Sequence, residues 1–193
     1  MAPVVSDLGL SGLRVVEPRR FADERGFFCE TFNARRFAEE TGFSPVFVQD
    51  NMSLSRPPGT LRGLHFQTNP AAQAKLVSVA RGAILDVAVD LRRDSPTFGR
   101  HAAIELSAEN GRQLFVPCGF AHGFCTLEPD TLVTYKVTAF YSAANDAGLA
   151  WDDPDLGIAW PVSAAAVVLS DKDRVHPRLA ALPPLFSMAD PPF

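Results

Sequence analysis

The chain has 193 residues, 47% of them hydrophobic and 21% charged, with a formal net charge of -4. That composition suits one globular domain with its own core and excludes wholesale disorder. The acidic balance excludes the general basic surface of a nucleic-acid binder, so an anionic ligand must be held by a few placed cations.

Three cysteines, Cys29, Cys118 and Cys125, give no disulfide framework. Reduced thiols fit a cytoplasmic protein. Residues 1–10 carry no basic segment, and Asp7 interrupts their apolar residues, so they do not read as a signal peptide. No apolar run approaches the roughly 18 residues of a membrane span.

In chain order, an extended N-terminal arm of about residues 1–20 comes first, with a short strand-like run at 13–16. Strand character returns at 26–32. A helix is predicted over 34–41, with Asn33 as its N-cap and Gly42 as the glycine just past its end. Further short runs lie at 46–54, 61–66, 75–79, 82–91, 102–106, 113–116, 120–127 and 132–140. The clearest is 82–91, where Leu85, Val87, Val89 and Leu91 alternate with Asp86, Ala88 and Asp90. That period of two predicts a half-buried strand. Turn signals at Arg56-Pro57-Pro58-Gly59, Asp94-Ser95-Pro96 and Glu128-Pro129-Asp130 separate the runs. Many short strands at close spacing predict an all-β sandwich or barrel in a single domain. The tail of about residues 177–193 is rich in proline and is predicted to extend over the surface.

Four segments carry side chains suited to chemistry. In Leu61-Arg62-Gly63-Leu64-His65-Phe66-Gln67, a strand-borne histidine lies near an arginine. It reads either as a general base beside an anion or as a core histidine satisfied by hydrogen bonds. Arg62 and His65 are three apart, so a regular strand points them to opposite faces unless Gly63 hosts a bulge. Pro117-Cys118-Gly119-Phe120-Ala121-His122-Gly123-Phe124 matches the second half of the cupin signature, Pro-x-Gly-x-x-His. The histidine pair of the first half is here His65 and Gln67, so the usual cupin metal triad is incomplete. His122 on its own also reads as a buried hydrogen-bonding residue.

In Thr134-Tyr135-Lys136-Val137, Tyr135 shares a strand face with Val133 and Val137. A phenol among aliphatics needs a polar partner, and it reads as a proton donor or as a structural hydroxyl. Ser170-Asp171-Lys172-Asp173 reads, in isolation, as a solvated turn, and Lys75 as a surface lysine.

Taken together, these segments resemble the dTDP-4-dehydrorhamnose 3,5-epimerase family, the RmlC-like branch of the cupins. The match runs from about residue 21 to 173. It adds Arg25-Gly26-Phe27-Phe28-x-Glu30, Val48-Gln49-Asp50-Asn51-x-Ser53, Gln73-x-Lys75-Leu76-Val77 and Asp86-Val87-Ala88-Val89-Asp90-Leu91-Arg92. Ser95-Pro96-Thr97-Phe98-Gly99, Tyr135-Lys136, Trp151-Asp152-Asp153-Pro154 and Ser170-x-Lys172-Asp173 follow in order. Each motif is weak alone; the ordered series is specific.

The resemblance implies a cupin jelly-roll β-barrel with a few short helices, a homodimer, and no metal or organic cofactor. It implies inversion of carbons 3 and 5 of dTDP-4-dehydro-6-deoxy-D-glucose on the way to L-rhamnose. His65 would be the base, Asp173 its carboxylate partner, Lys75 (with Arg62) the oxyanion stabiliser, and Tyr135 the acid. Arg25 and Lys172 would lie near the diphosphate or sugar. Glu30, Gln49 and Asn51 would hold the nucleotide, some from the dimer partner, and His122 the substrate. Tyr141 would stack on thymine. Asp146 stands where the family often has glutamate, which puts that one contact in question. Three alternatives remain open: an epimerase that inverts one carbon only, a metal-dependent cupin, and a non-catalytic sugar-nucleotide-binding cupin.

Overall fold

A computed structural model describes residues 2–193. Strands β1 (Val4–Asp7) and β2 (Arg14–Glu17) are followed by a hairpin of β3 (Arg20–Asp23) and β4 (Gly26–Cys29) and by helix α1 (Ala34–Thr41). Eight strands then form the barrel: β5 (Gln49–Ser55), β6 (Leu61–Gln67), β7 (Lys75–Arg81), β8 (Ala83–Asp90), β9 (His101–Ser107), β10 (Gln113–Val116), β11 (Phe120–Thr126) and β12 (Thr131–Val137). A short β13 (Asp146–Gly148) follows.

The barrel pairing is nested. β5 pairs with β12, β6 with β11, β7 with β10 and β8 with β9, all antiparallel. This is one long hairpin wrapped into two sheets, the jelly roll. One sheet runs β1-β2-β10-β7-β12-β5 and the other β13-β6-β11-β8-β9. Between them Val77, Leu114 and Val133 of the first sheet pack on Ile84, Leu106 and Phe124 of the second.

The helix spans residues 34–41 as expected. The Asn33 side chain accepts a hydrogen bond from the Arg36 amide, and Gly42 takes a left-handed φ of 76°. Phe37 anchors it against Leu76 and Phe115 on the outer face of the six-stranded sheet.

Three expectations are corrected. β8 is buried on both faces, not half-buried. Its alternation is real, but Val87 and Val89 point outward into a second core completed by Leu149, Leu156 and Phe186, while Asp86 and Asp90 are fully buried on the other face. The tail supplies that cover, so it does not simply extend over the surface. Phe186 is buried, Arg93 donates its amide to the Phe186 carbonyl at 2.9 Å, and Cys118 donates to Pro192 at 2.8 Å. Apolar residues between the prolines explain the docking: Leu179, Leu182 and Leu185 all pack on this core. The strand-like run expected at 13–16 is β2, but residues 4–7, expected only as part of an arm, form a further strand of the six-stranded sheet, with Leu10, Leu13 and Val15 in the core.

Candidate active site

β6 and β12 belong to opposite sheets, and both deliver side chains into one cavity of about 440 Å³. His65 enters from β6, and Tyr135 from β12 with Lys75 from the neighbouring β7. Arg62, His122, Lys172 and Asp173 add to the polar lining, and Phe124, Val168 and Leu169 to the apolar part. A second lobe of about 220 Å³ shares His65, Lys75, Tyr135 and Lys172, and continues to Gln49, Asn51, Tyr141 and Asp146.

The parity problem of Arg62 and His65 is solved by a bulge. His122 on β11 faces His65, while Phe124 faces Arg62, so two steps on β11 span three on β6. Gly63 takes a φ of 126° there, and a Cβ on it would sit 2.6 Å from the Gly123 Cα. The extra residue lets both side chains line the same cavity.

His65 Nε2 lies 2.5 Å from Asp173 Oδ1. Asp173 is therefore a buried partner of the histidine and not a solvated turn. Burial pushes its carboxyl up, but hydrogen bonds from His65, Ser170 and the Gly63 backbone, with the His65 charge, hold it below the usual carboxylate value. With Nε2 committed to the carboxylate, Nδ1 is the nitrogen left to take a proton.

Lys75 is not a surface lysine. Burial pushes its ammonium down to about 8, against the opposing charges of Asp86 and Asp146. Its Nζ donates to the His65 carbonyl at 3.3 Å. Burial raises the Tyr135 phenol above its usual value, partly offset by Arg62, so it keeps its proton at neutral pH. His122 is buried, as its core reading required, and pairs with Asp86 at 2.7 Å while lining the cavity.

The second lobe has a connected rim. Gln49 Nε2 donates to Asn51 at 2.8 Å, and the Tyr141 amide donates to Gln49 at 3.2 Å. Asp146, despite its short side chain, accepts from the Tyr141 hydroxyl at 3.0 Å and from Lys172. Arg25 and Glu30 are not brought to the cavity of this chain. Arg25 is 85% exposed and pairs with Asp23, and Glu30 pairs with Arg36.

Sequence reasoning missed three contributors. Gln67, read only as a lost metal ligand, donates to the Ala71 and Phe140 carbonyls and accepts from the Ser142 amide, fixing the loop that carries Tyr141. Asp86 sits beneath His122 with its second oxygen unpartnered. His176 lies 3.5 Å from Asp173, and only the Asp-x-x-His spacing of Asp173 and His176 hints at it.

A histidine held by a carboxylate, a half-buried protonated phenol from the facing sheet and a lysine in the same cavity are the parts of a jelly-roll isomerase of the acid–base type. The comparisons carry this further. The chain belongs to the dTDP-4-dehydrorhamnose 3,5-epimerase family, whose sequence model matches residues 7–181. The dTDP-4-dehydrorhamnose 3,5-epimerase of Sinorhizobium fredii is 52% identical over 93% of this chain and 91% of its own length. The crystal structure of dTDP-6-deoxy-D-glucose-3,5-epimerase from Legionella pneumophila, in complex with dTDP-4-keto-L-rhamnose, superposes with a TM-score of 0.92 at 41% identity, over 97% of this chain and 100% of that one. A 3'-monoepimerase from Streptomyces bikiniensis, in complex with dTDP-quinovose, superposes with a TM-score of 0.83 at 36% identity, over 93% and 88%. Among the described residues no helix is long and apolar enough to cross a membrane.

Proposed function

We propose that this chain inverts carbons 3 and 5 of dTDP-4-dehydro-6-deoxy-D-glucose, with His65 as base, Tyr135 as acid and Lys75 as the principal cation at the ketone oxygen. The observation that carries this reading is the entry of His65 and Tyr135 into one cavity from opposite sheets. Each inverted carbon flanks the carbonyl at carbon 4. His65 removes its proton from one face, and the electron pair moves onto the ketone oxygen as an enolate. Lys75 and Arg62 stabilise that charge in a site partly shielded from water. Tyr135 then delivers a proton to the opposite face of the same carbon, the carbonyl re-forms, and exchange with solvent takes the proton off His65 and returns one to Tyr135 before the second carbon reacts. Asp173 keeps the His65 ring oriented and stabilises the imidazolium between the two transfers.

The nucleotide occupies the second lobe, with Tyr141 against the thymine and Gln49 and Asn51 beside it. Lys172 and Asp146 stand where the lobes meet, at the sugar and diphosphate, and His122 lies under the sugar. Arg25 and Glu30 act from a second copy of the chain in a homodimer, which fits their distance from this chain's own cavity. The enzyme works in the cytoplasm, supplying the 4-keto-L-rhamnose nucleotide for L-rhamnose and surface polysaccharide.

In deuterated buffer the 4-keto substrate gains deuterium at both carbons. His65→Ala abolishes exchange at both, while Tyr135→Phe keeps exchange and loses inversion. No exchange with folded protein and pure substrate defeats the proposal. The likeness to a monoepimerase supports one second reading, inversion at a single carbon. Deuterium counted per carbon separates the two.

A further inference from the structure

We propose that His65, Asp173 and His176 form a two-histidine, one-carboxylate site for a divalent transition-metal ion of the zinc class, whose binding switches the enzyme off. Among the described residues, the ligating atoms of these three all lie within 4.8 Å of one another. Imidazole and carboxylate donors in this ratio suit zinc and cobalt, with two histidines and one carboxylate leaving an open position for water.

The third ligand is the informative one. His176 is 91% buried as a side chain, being 9% exposed, and its Nε2 is buried without a hydrogen bond. A buried imidazole nitrogen ordinarily finds a partner. This one is aimed at the pair beside it: Nε2 is 3.5 Å from Asp173 Oδ1, and the His176 and His65 rings meet edge to face at 5.5 Å. Its ring is held in place against Gly148, where any Cβ would collide with it. Metal–ligand bonds of about 2.0–2.2 Å in a tetrahedron set neighbouring ligand atoms roughly 3.3–3.5 Å apart. The His176–Asp173 separation already meets that. The 2.5 Å His65–Asp173 contact has to open by under about 1 Å, the metal taking the place of the shared proton. Lys75 and Lys172 oppose a cation here, but Lys172 is itself paired with Asp146.

This set differs from the cupin metal position, which would need Gln67 as a ligand. It is also incompatible with turnover. A metal on His65 Nε2 leaves the proton of the neutral ring on Nδ1, so the ring has no lone pair for a sugar carbon acid. The inhibition rests on His65 being the base; the binding does not.

The two parts are tested separately. Metal-free protein is titrated with Co²⁺ and followed by its visible ligand-field absorption, with Zn²⁺ as competitor. The expected result is a saturable one-to-one band that Zn²⁺ abolishes. His176→Asn and His65→Asn, each with the circular dichroism of the parent, should both weaken binding about tenfold or more, at least what losing a ligand's outer-shell support does. Absence of a saturable band, or equal affinity in either folded variant, overturns the site. Zn²⁺ should then inhibit deuterium exchange over its own binding range and be reversed by a chelator. Tight binding without inhibition overturns the switch and counts against His65 as the base. Absence of binding leaves the epimerase reading intact.

Discussion

Lys75 sets the alkaline limit of the proposed reaction. Its ammonium stabilises the enolate only while protonated, and burial has pushed its pKa down to about 8. A lysine lowered in this way is charged at neutral pH and loses its charge as the pH rises through that value. The turnover rate should therefore fall above about pH 8, where an exposed lysine would hold its charge for about two units more. Lys75→Met should lower turnover by about 10²–10³-fold, the usual effect of removing one oxyanion donor, and should erase that limb of the pH–rate profile. A wild-type rate flat to pH 10, or an unchanged alkaline limb in the variant, would assign the cation's role to Arg62 instead. Tyr135 sets no competing limit at lower pH, because burial moves its phenol upward.

At the scale of elements, the bulge in β6 decides whether the site exists. A regular strand would put Arg62 and His65 on opposite faces. Gly63→Ala tests this, since the new Cβ meets backbone at 2.6 Å and 2.9 Å and the φ of 126° is hostile to any side chain. Overpacking and backbone strain together predict a loss of about 2–4 kcal/mol, read as a lower urea midpoint. Activity should fall further than the folded fraction does, because the two side chains no longer converge. An alanine variant with unchanged midpoint and rate would show that the bulge is dispensable.

The same strand shows what was legible in the sequence. The alternation of hydrophobic residues located most barrel strands, and local caps located α1 to the residue, because both signals are written in neighbouring positions. His65, Tyr135 and Asp173 were legible only as members of a family pattern. Their meeting is a matter of register between sheets, which periodicity does not encode. Gly63 announced a possible bulge but not its direction. His176 had no signal beyond its distance from Asp173, and β8 was misread because its outer cover comes from distant segments, Leu149 and Leu156 and then Phe186 in the tail.

For the whole molecule, the outstanding question is why Arg25 and Glu30 stand apart from the cavity. The β3–β4 hairpin that holds Arg25 is largely exposed, yet Phe21, Phe27 and Phe28 on it are 41%, 58% and 70% accessible. β5, at the edge of the six-stranded sheet, adds Met52 at 69% and Leu54 at 39%. An open sheet edge and a run of exposed aromatic rings are both surfaces that call for a partner. If two copies exchange this hairpin's contacts symmetrically, Arg25 of one chain serves the cavity of the other. Scattering should then give a mass of twice 20.9 kDa. Arg25→Ala and His65→Ala, each impaired alone, should recover activity when unfolded and refolded together. In a mixed dimer the cavity of the Arg25→Ala chain keeps its own His65 and receives an intact Arg25 from its partner. The other cavity carries both lesions. Random pairing makes half the dimers mixed, each with one sound site of two, so recovery should approach about a quarter of wild type. A dimer that shows no recovery would place Arg25 in its own chain's site, and the hairpin would then have to fold back over the cavity instead of reaching across.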